Sequence, residues 1–249
     1  MNKKNEIKVK YDRKAEEIGE DLEKIKNIHK DVSSVMKYFR HRKLETAIEL
    51  GKFKLGDKIL DVGSNMGQYT TLFAEKGFQM VGIDLSDKAV DAAKKNARML
   101  ELKNIDYFQA DAEDLSLFED ETFDGVVSFS ALRYVPDFKK ALKEIYRVTK
   151  KKGIVVLDFP NRYCPWFALL KNKFGVENHI GDHFYSAKEL VILFNEAGFC
   201  NIDFRKILFT HYTFKPGFLR FYKIIDWIGE HTPFIKESAA IIMCKGVKE

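Results

Sequence analysis

Asp61, Asp84 and Asp111 are the residues best placed for chemistry, because each follows or ends a short apolar run and precedes a turn. The first run, KILDV at 58–62, leads into GSNMG and then into a helical pattern. Gly63 permits a tight bend and lets a ligand meet the backbone with no Cβ between them, while Gly67 lets the next helix pack closely. Asn65 stands where a third glycine is expected, and asparagine tolerates the left-handed region better than most side chains. The spacing is G-x-x-x-G, not the G-x-G-x-x-G that cradles a dinucleotide pyrophosphate, and Asp61 lies just upstream. A carboxylate there is a poor neighbour for a pyrophosphate and a good one for a cationic amino group. Asp84, ending VGID, can accept from both hydroxyls of a ribose. Asp111, in FQADAEDL, can accept from an exocyclic amine while the Ala112 amide donates to an adenine ring. Taken in this order, the three strand ends outline a nucleoside that carries an amino acid.

The elements that must position these residues follow from periodicity. Apolar or β-branched runs at 58–62, 79–83, 105–108, 123–129 and 153–159 alternate with helical patterns such as SDKAVDAAKKNARML and DFKKALKEIYRVTK. Such alternation predicts a parallel sheet with helices on both faces and ligands at the carboxyl ends of its strands. Ser86 and Ser186 read as helix N-caps, Gly198 as a helix terminator, and 238–246 as a closing strand. Two helices are expected earlier, at about 12–30 and 33–51. The chain divides into an N-terminal helical extension, 1–56, and a ligand-binding domain, 57–249, with substrate-covering insertions at about 160–185 and 207–237. The last third is unlike the rest: stretches 159–185 and 207–234 hold 15 of the 33 aromatic residues.

Composition narrows the function classes. The chain has 249 residues and is 45% hydrophobic and 32% charged, as expected of a globular protein with one large core. No apolar run has the length of a membrane span and the first residues lack the apolar core of a secretion signal, so the expected compartment is the cytoplasm. Cys164, Cys200 and Cys244 are far apart and form no C-x-x-C pair, which points to buried thiols rather than disulfides or zinc. The net charge of +5 arises within the first 58 residues, where 16 Lys and Arg face 11 Asp and Glu. Both signs are mixed there, as on a solvated helix face.

The motifs resemble those of class I S-adenosylmethionine-dependent methyltransferases, in the group that includes small-molecule and quinone methyltransferases. ILDVGSNMG is similar to the first family motif, VGIDLS to the ribose-acid motif, QADAEDL to the adenine segment, and FDGVVSFSALRYVPD to the fourth strand and its loop. The resemblance implies a Rossmann-like, doubly wound, seven-stranded and mostly parallel sheet whose last strand is antiparallel, with the N-terminal helices and an aromatic-rich C-terminal cover added. It implies S-adenosyl-L-methionine as cofactor, with Asp61 at the amino group, Gly63, Ser64 and Gly67 along the methionine side, and Ser128 beside the sulfonium. Asp84 with Leu85 would hold the ribose, and Asp111 with Ala112 the adenine. Arg133 and Tyr134 stand where many relatives carry an acid and a histidine, on the loop that commonly faces the acceptor.

The acceptor is less legible. His179 and His183 are candidate bases, and their i, i+4 spacing around Asp182 also raises a metal site, which Gly181 and the loop setting argue against. The loop after the fourth strand lacks an Asn-Pro-Pro-Tyr-like motif, which disfavours nucleic acid. A small-molecule acceptor with a ring or lipid tail is expected; the alternatives are a non-catalytic S-adenosylmethionine sensor and a nicotinamide-dependent oxidoreductase. In KPGFLRFYKIIDWIGEH, Phe218, Phe221, Tyr222, Ile225 and Ile228 fall at helical spacing. That helix is expected either to pack on the core or, with the loop 161–183, to wall the acceptor pocket, and contact with a membrane surface is a further expectation for it.

Overall fold

Seven apolar segments form a single sheet covered on both faces, so the central strands, Lys58–Val62 and Gln79–Asp84 among them, are buried almost continuously rather than in alternation. The computed structural model describes residues 3–19, 33–165, 183–211 and 215–249. The strands are β1 (Lys58–Val62), β2 (Gln79–Asp84), β3 (Ile105–Gln109), β4 (Phe123–Ser128), β5 (Thr149–Pro160), β6 (Cys200–Ile207) and β7 (Ile241–Val247), in the order β3-β2-β1-β4-β5-β7-β6. Strands β1 to β5 pair in parallel, and β7 runs antiparallel between β5 and β6. The strand order reverses between β1 and β4, the crevice where ligands of such sheets bind.

The described helices are α1 (Lys3–Gly19), α2 (Ser34–Gly51), α3 (Gln68–Glu75), α4 (Asp87–Met99), α5 (Phe138–Val148), α6 (Ala187–Glu196) and α7 (Leu219–His231). Alternate strand residues face opposite layers. Leu60, Val126, Val155 and Leu157 join Leu142 and Ile145 of α5 and Leu190 and Phe194 of α6 in one cluster. Ile59, Val127 and Val156 join Leu44 and Ala47 of α2 and Phe73 of α3 in the other. The caps act as the sequence predicts: Ser86 Oγ accepts from the Ala89 amide at 3.0 Å, and Ser186 with Glu189 forms a capping box. Among the described residues no helix is long and apolar enough to cross a membrane.

The N-terminal region departs from expectation. Its first helix spans Lys3–Gly19, not 12–30, and residues 20–32 lie outside the described part. Arg13, Lys14, Glu16 and Glu17 of α1 are exposed, whereas Lys4, Lys8 and Asp12 cross-link it to the sheet domain. Asp12 Oδ1 accepts from Ser86 Oγ at 2.5 Å, Lys8 reaches Asp87 at 2.5 Å, and Lys4 lies 2.6 Å from both Asp111 and Glu113. These links carry α1 across the carboxyl ends of β2 and β3.

Candidate active site

The turn after β1 is bound to β2 through backbone and carboxylate. The amides of Gly63 and Ser64 both donate to Ile83 O at 2.8 Å. Asn65 adopts φ +51° and donates its amide to Asp84 Oδ2 at 2.8 Å, while Ser86 N donates to Asp84 Oδ1 at 3.0 Å. The left-handed conformation expected of Asn65 is therefore present, and Asp84 braces the turn that the glycines open. Burial raises the Asp84 pKa although backbone amides oppose the shift.

Asp61 is 1% exposed, and its Oδ2 accepts from Thr70 Oγ1 at 2.7 Å while Oδ1 has no partner. Burial pushes this carboxyl up to about 7; the Thr70 hydrogen bond opposes the shift, and the charges of Asp84 and Asp158 add to it. Ser64 Oγ is likewise buried without a partner. Both residues line a cleft that also contains Gly63, Asp84, Leu85, Asp111 and Ala112. A buried acceptor left open in this way is costly unless a ligand completes it.

Two expected members stand outside the cleft lining. Ser128 turns its hydroxyl onto Val62 O at 2.7 Å, and Phe129, Ser130 and Ala131 form the wall instead. Gly67 faces Tyr107: a Cβ there would lie 2.3 Å from the phenol oxygen, so its glycine serves packing. Asp111 lines the cleft, but its Oδ2 is engaged by Lys4 and its Oδ1 by the Glu113 amide at 2.9 Å. His183 does not line the cleft; its Nε2 lies 3.2 Å from Glu189 Oε1. His179 and Asp182 lie outside the described residues, among which no metal-binding cluster occurs.

Helix α7, expected either to pack on the core or to wall the acceptor pocket with the loop 161–183, contributes nothing to this cleft, and residues 166–182 of that loop lie outside the described part. In α7, Asp226 and Gly229 are buried while Phe221, Ile224, Trp227 and Ile228 are exposed, and none lines this cleft. Asp226 Oδ1 accepts from the Phe209 and Thr210 amides at 2.6 and 3.0 Å, and Gly229 fits against the Phe209 ring. Asp226 and Gly229 thereby set the face that α7 turns toward the body.

Sequence reasoning missed two sets of residues. Lys4, Ile7, Tyr11 and Lys14 of α1 line the cleft, and the Tyr11 ring meets Tyr134 edge-on at 6.4 Å across it. The stripe Ile7, Tyr11, Ala15 at i, i+4, i+8 was the available signal, with Ala15 buried. Behind the far wall, Lys43 of α2 is 2% exposed and donates to Asp158 Oδ2 at 2.5 Å and Ser130 Oγ at 2.8 Å. Burial holds the Lys43 pKa below its ordinary value, and the Asp158 carboxylate opposes that shift. No spacing in the sequence announces this pair. Tyr69, at the head of α3, stacks on Phe129 with ring centroids 4.0 Å apart and planes 15° apart, and both line the cleft.

Sheet order and cleft together define a Rossmann-like protein with an open cleft at the β1/β4 switch point. A methyltransferase-domain family model matches residues 60–157. The demethylmenaquinone methyltransferase of Bacillus mycoides is 29% identical, over 82% of this chain and 97% of that protein. Among solved structures, an S-adenosylmethionine-dependent methyltransferase from Thermotoga maritima superposes with a TM-score of 0.64 at 20% identity, covering 86% of this chain and 91% of that one. The [4+2]-cyclase SpnF gives 0.63 at 23% identity, over 83% and 80%. These structural likenesses speak for the fold alone. Residues 60–157 thus carry a methyltransferase domain, and the chain is an S-adenosylmethionine-dependent methyltransferase that acts on a small molecule.

Proposed function

We propose that the chain methylates a ring-bearing, apolar acceptor of the quinone type, one that carries a lipid tail. The observation that carries this reading is the Tyr69–Phe129 stack, an aromatic platform inside the cleft, 4.0 Å between centroids. Aromatic pairs favour a further ring by offset or edge contact, worth about 0.5–1.5 kcal/mol beyond area burial. The demethylmenaquinone methyltransferases among the relatives support the same class of acceptor. A bilayer is the natural source of such a molecule, so contact with a membrane surface belongs to this reading.

Within it, each cleft residue has a task. The open Oδ1 of Asp61 fits an ammonium group, and the unpartnered Ser64 hydroxyl beside Gly63 fits the polar end of the same amino acid. Asp84, with Leu85, is assigned to the ribose, since its two oxygens retain lone pairs beyond the amides they already accept. Asp111 and Ala112 are assigned to the adenine, with Lys4 sharing the Asp111 carboxylate. The cofactor supplies a methyl already activated on sulfonium. What remains for the protein is alignment and exclusion of water, and alignment alone can be worth about 7–11 kcal/mol. Residues 1–56 are then an extension of the domain at 57–249 whose helix α1 closes the cofactor side of the cleft.

The test is methyl transfer from labelled cofactor to a panel of hydroxylated ring compounds with and without prenyl tails, followed by mass identification of the product. Methylation of ring acceptors, improved by a tail, is the expected result. Cofactor binding without turnover on any of them, or methylation confined to small polar amines, refutes the reading.

A further inference from the structure

Helix α7 is attached to the body by its polar side. Asp226 is spent on the amides of Phe209 and Thr210, and Glu230 accepts from the Leu208 amide at 3.1 Å and pairs with Arg42. The opposite side carries Phe221, Ile224, Trp227 and Ile228, between 48% and 63% exposed, and the following turn adds Phe234 and Ile235. An amphipathic helix on a water-soluble surface has the reverse arrangement. Patches of large apolar side chains of this kind mark interaction sites.

The charges around the patch state what it fits. From Lys215 to Ser238 the acids are Asp226, Glu230 and Glu237; the first two face inward and the third pairs with Lys206. Lys215, Arg220, Lys223 and Lys236 are all exposed on the same segment. The outward surface is thus apolar with a cationic rim, and its acids are compensated. Apolar side chains at acyl depth with Lys and Arg at phosphate level are the chemistry of a helix lying in a bilayer interface.

We propose that α7 is a membrane-docking helix that lies in the surface of an anionic phospholipid bilayer, with Phe221, Ile224 and Ile228 entering the acyl boundary. It gives the lipid-tailed acceptor proposed above a surface from which to be drawn, and rests on that reading for its purpose but not for its test.

The full chain is mixed with vesicles of phosphatidylcholine alone or with phosphatidylglycerol, and binding is followed by flotation and by tryptophan emission. Trp166 and Trp227 are the only tryptophans, so Trp166→Phe leaves Trp227 as the reporter. A blue shift with anionic vesicles only, reversed by salt, is expected. Arg220→Gln with Lys223→Gln should weaken binding roughly 25-fold, about fivefold for each cation. Phe221→Ser with Ile224→Ser should weaken it by a factor of at least about 100, with an unchanged melting temperature because both side chains are solvent-exposed. The proposal is overturned if the unaltered chain ignores anionic vesicles. It is also overturned if the serine variant melts lower, which would mean that the chain's own residues cover the patch, or if that variant only dissolves a dimer. Failure of docking while a ring acceptor is methylated refutes this inference alone. Docking with no ring acceptor methylated refutes the acceptor reading alone.

Discussion

Asp61→Asn separates the two demands placed on the buried acid. The folded carboxyl titrates at about 7 against an ordinary value of 3.8, because burial disfavours its charge. Between those values the native state holds a proton that the unfolded chain has released, so the contribution of Asp61 to stability is full below about pH 4 and is lost as pH rises to about 7. The loss is at most about 4 kcal/mol, at about 1.36 kcal/mol for each pH unit between the two values. Cofactor binding runs the other way. An ammonium group requires the ionised form, whose share rises from about one in eleven at pH 6 to about three in four at pH 7.5, so affinity should rise by up to about eightfold over that range. Measurements below about pH 7.5 keep an α-amino group protonated. In Asp61→Asn the ligand-free protein should lose the part of the stability slope that Asp61 contributes and melt higher than the parent at pH 8. Its cofactor affinity should fall by about 2–5 kcal/mol and lose the pH dependence. Melting curves of the ligand-free protein and calorimetry with S-adenosylhomocysteine at pH 6.0, 6.5, 7.0 and 7.5 read both quantities. A pH-independent affinity in the parent, or an equal slope in the variant, refutes the assignment of Asp61 to the amino group.

Three further outcomes follow from the same geometry. Asp84→Ala removes the acceptor of the Asn65 and Ser86 amides as well as the ribose partner, so melting temperature and cofactor affinity should fall together, by about 1.5–3 kcal/mol for each charged hydrogen bond; calorimetry showing intact affinity in a folded variant refutes the assignment. Gly63→Val should abolish cofactor binding, because a Cβ would lie 2.1 Å from that of Ala131 at a φ of +80°. Gly63→Ala combined with Ala131→Gly should recover only part of the binding, since the contact is relieved and a dihedral cost of about 1–2 kcal/mol remains; full recovery in a binding assay refutes the dihedral argument. Lys43→Met should destabilise the fold by about 3–5 kcal/mol by leaving Asp158 buried and unpaired, and adding Asp158→Leu should restore most of it. Equal destabilisation of the single and double variants under denaturant refutes the account.

The sheet, its helices and most of the expected residues that line the cleft were legible in the sequence because they rest on local causes. Alternation and 3.6-residue periodicity, the glycines at 63 and 67, and caps at Ser86 and Ser186 each act within a few residues, and the strand-end acids fall at one edge of the sheet by topology alone. Ser128 was placed on the correct strand but on the wrong side of the wall, because one residue of register decides which face a strand side chain meets. Only the tertiary structure decided the contribution of α1, the Lys43–Asp158 pair and the orientation of α7. Lys4 meets Asp111 across 107 positions and Lys43 meets Asp158 across 115, distances over which no spacing rule operates. In α7 the apolar stripe argued for burial, yet Asp226 caps two otherwise unpaired amides and Gly229 admits the Phe209 ring. Which face of α7 meets the body is set by the partners of Asp226 and Gly229 on residues 209 and 210, and those partners adjoin the helix only once the chain is folded.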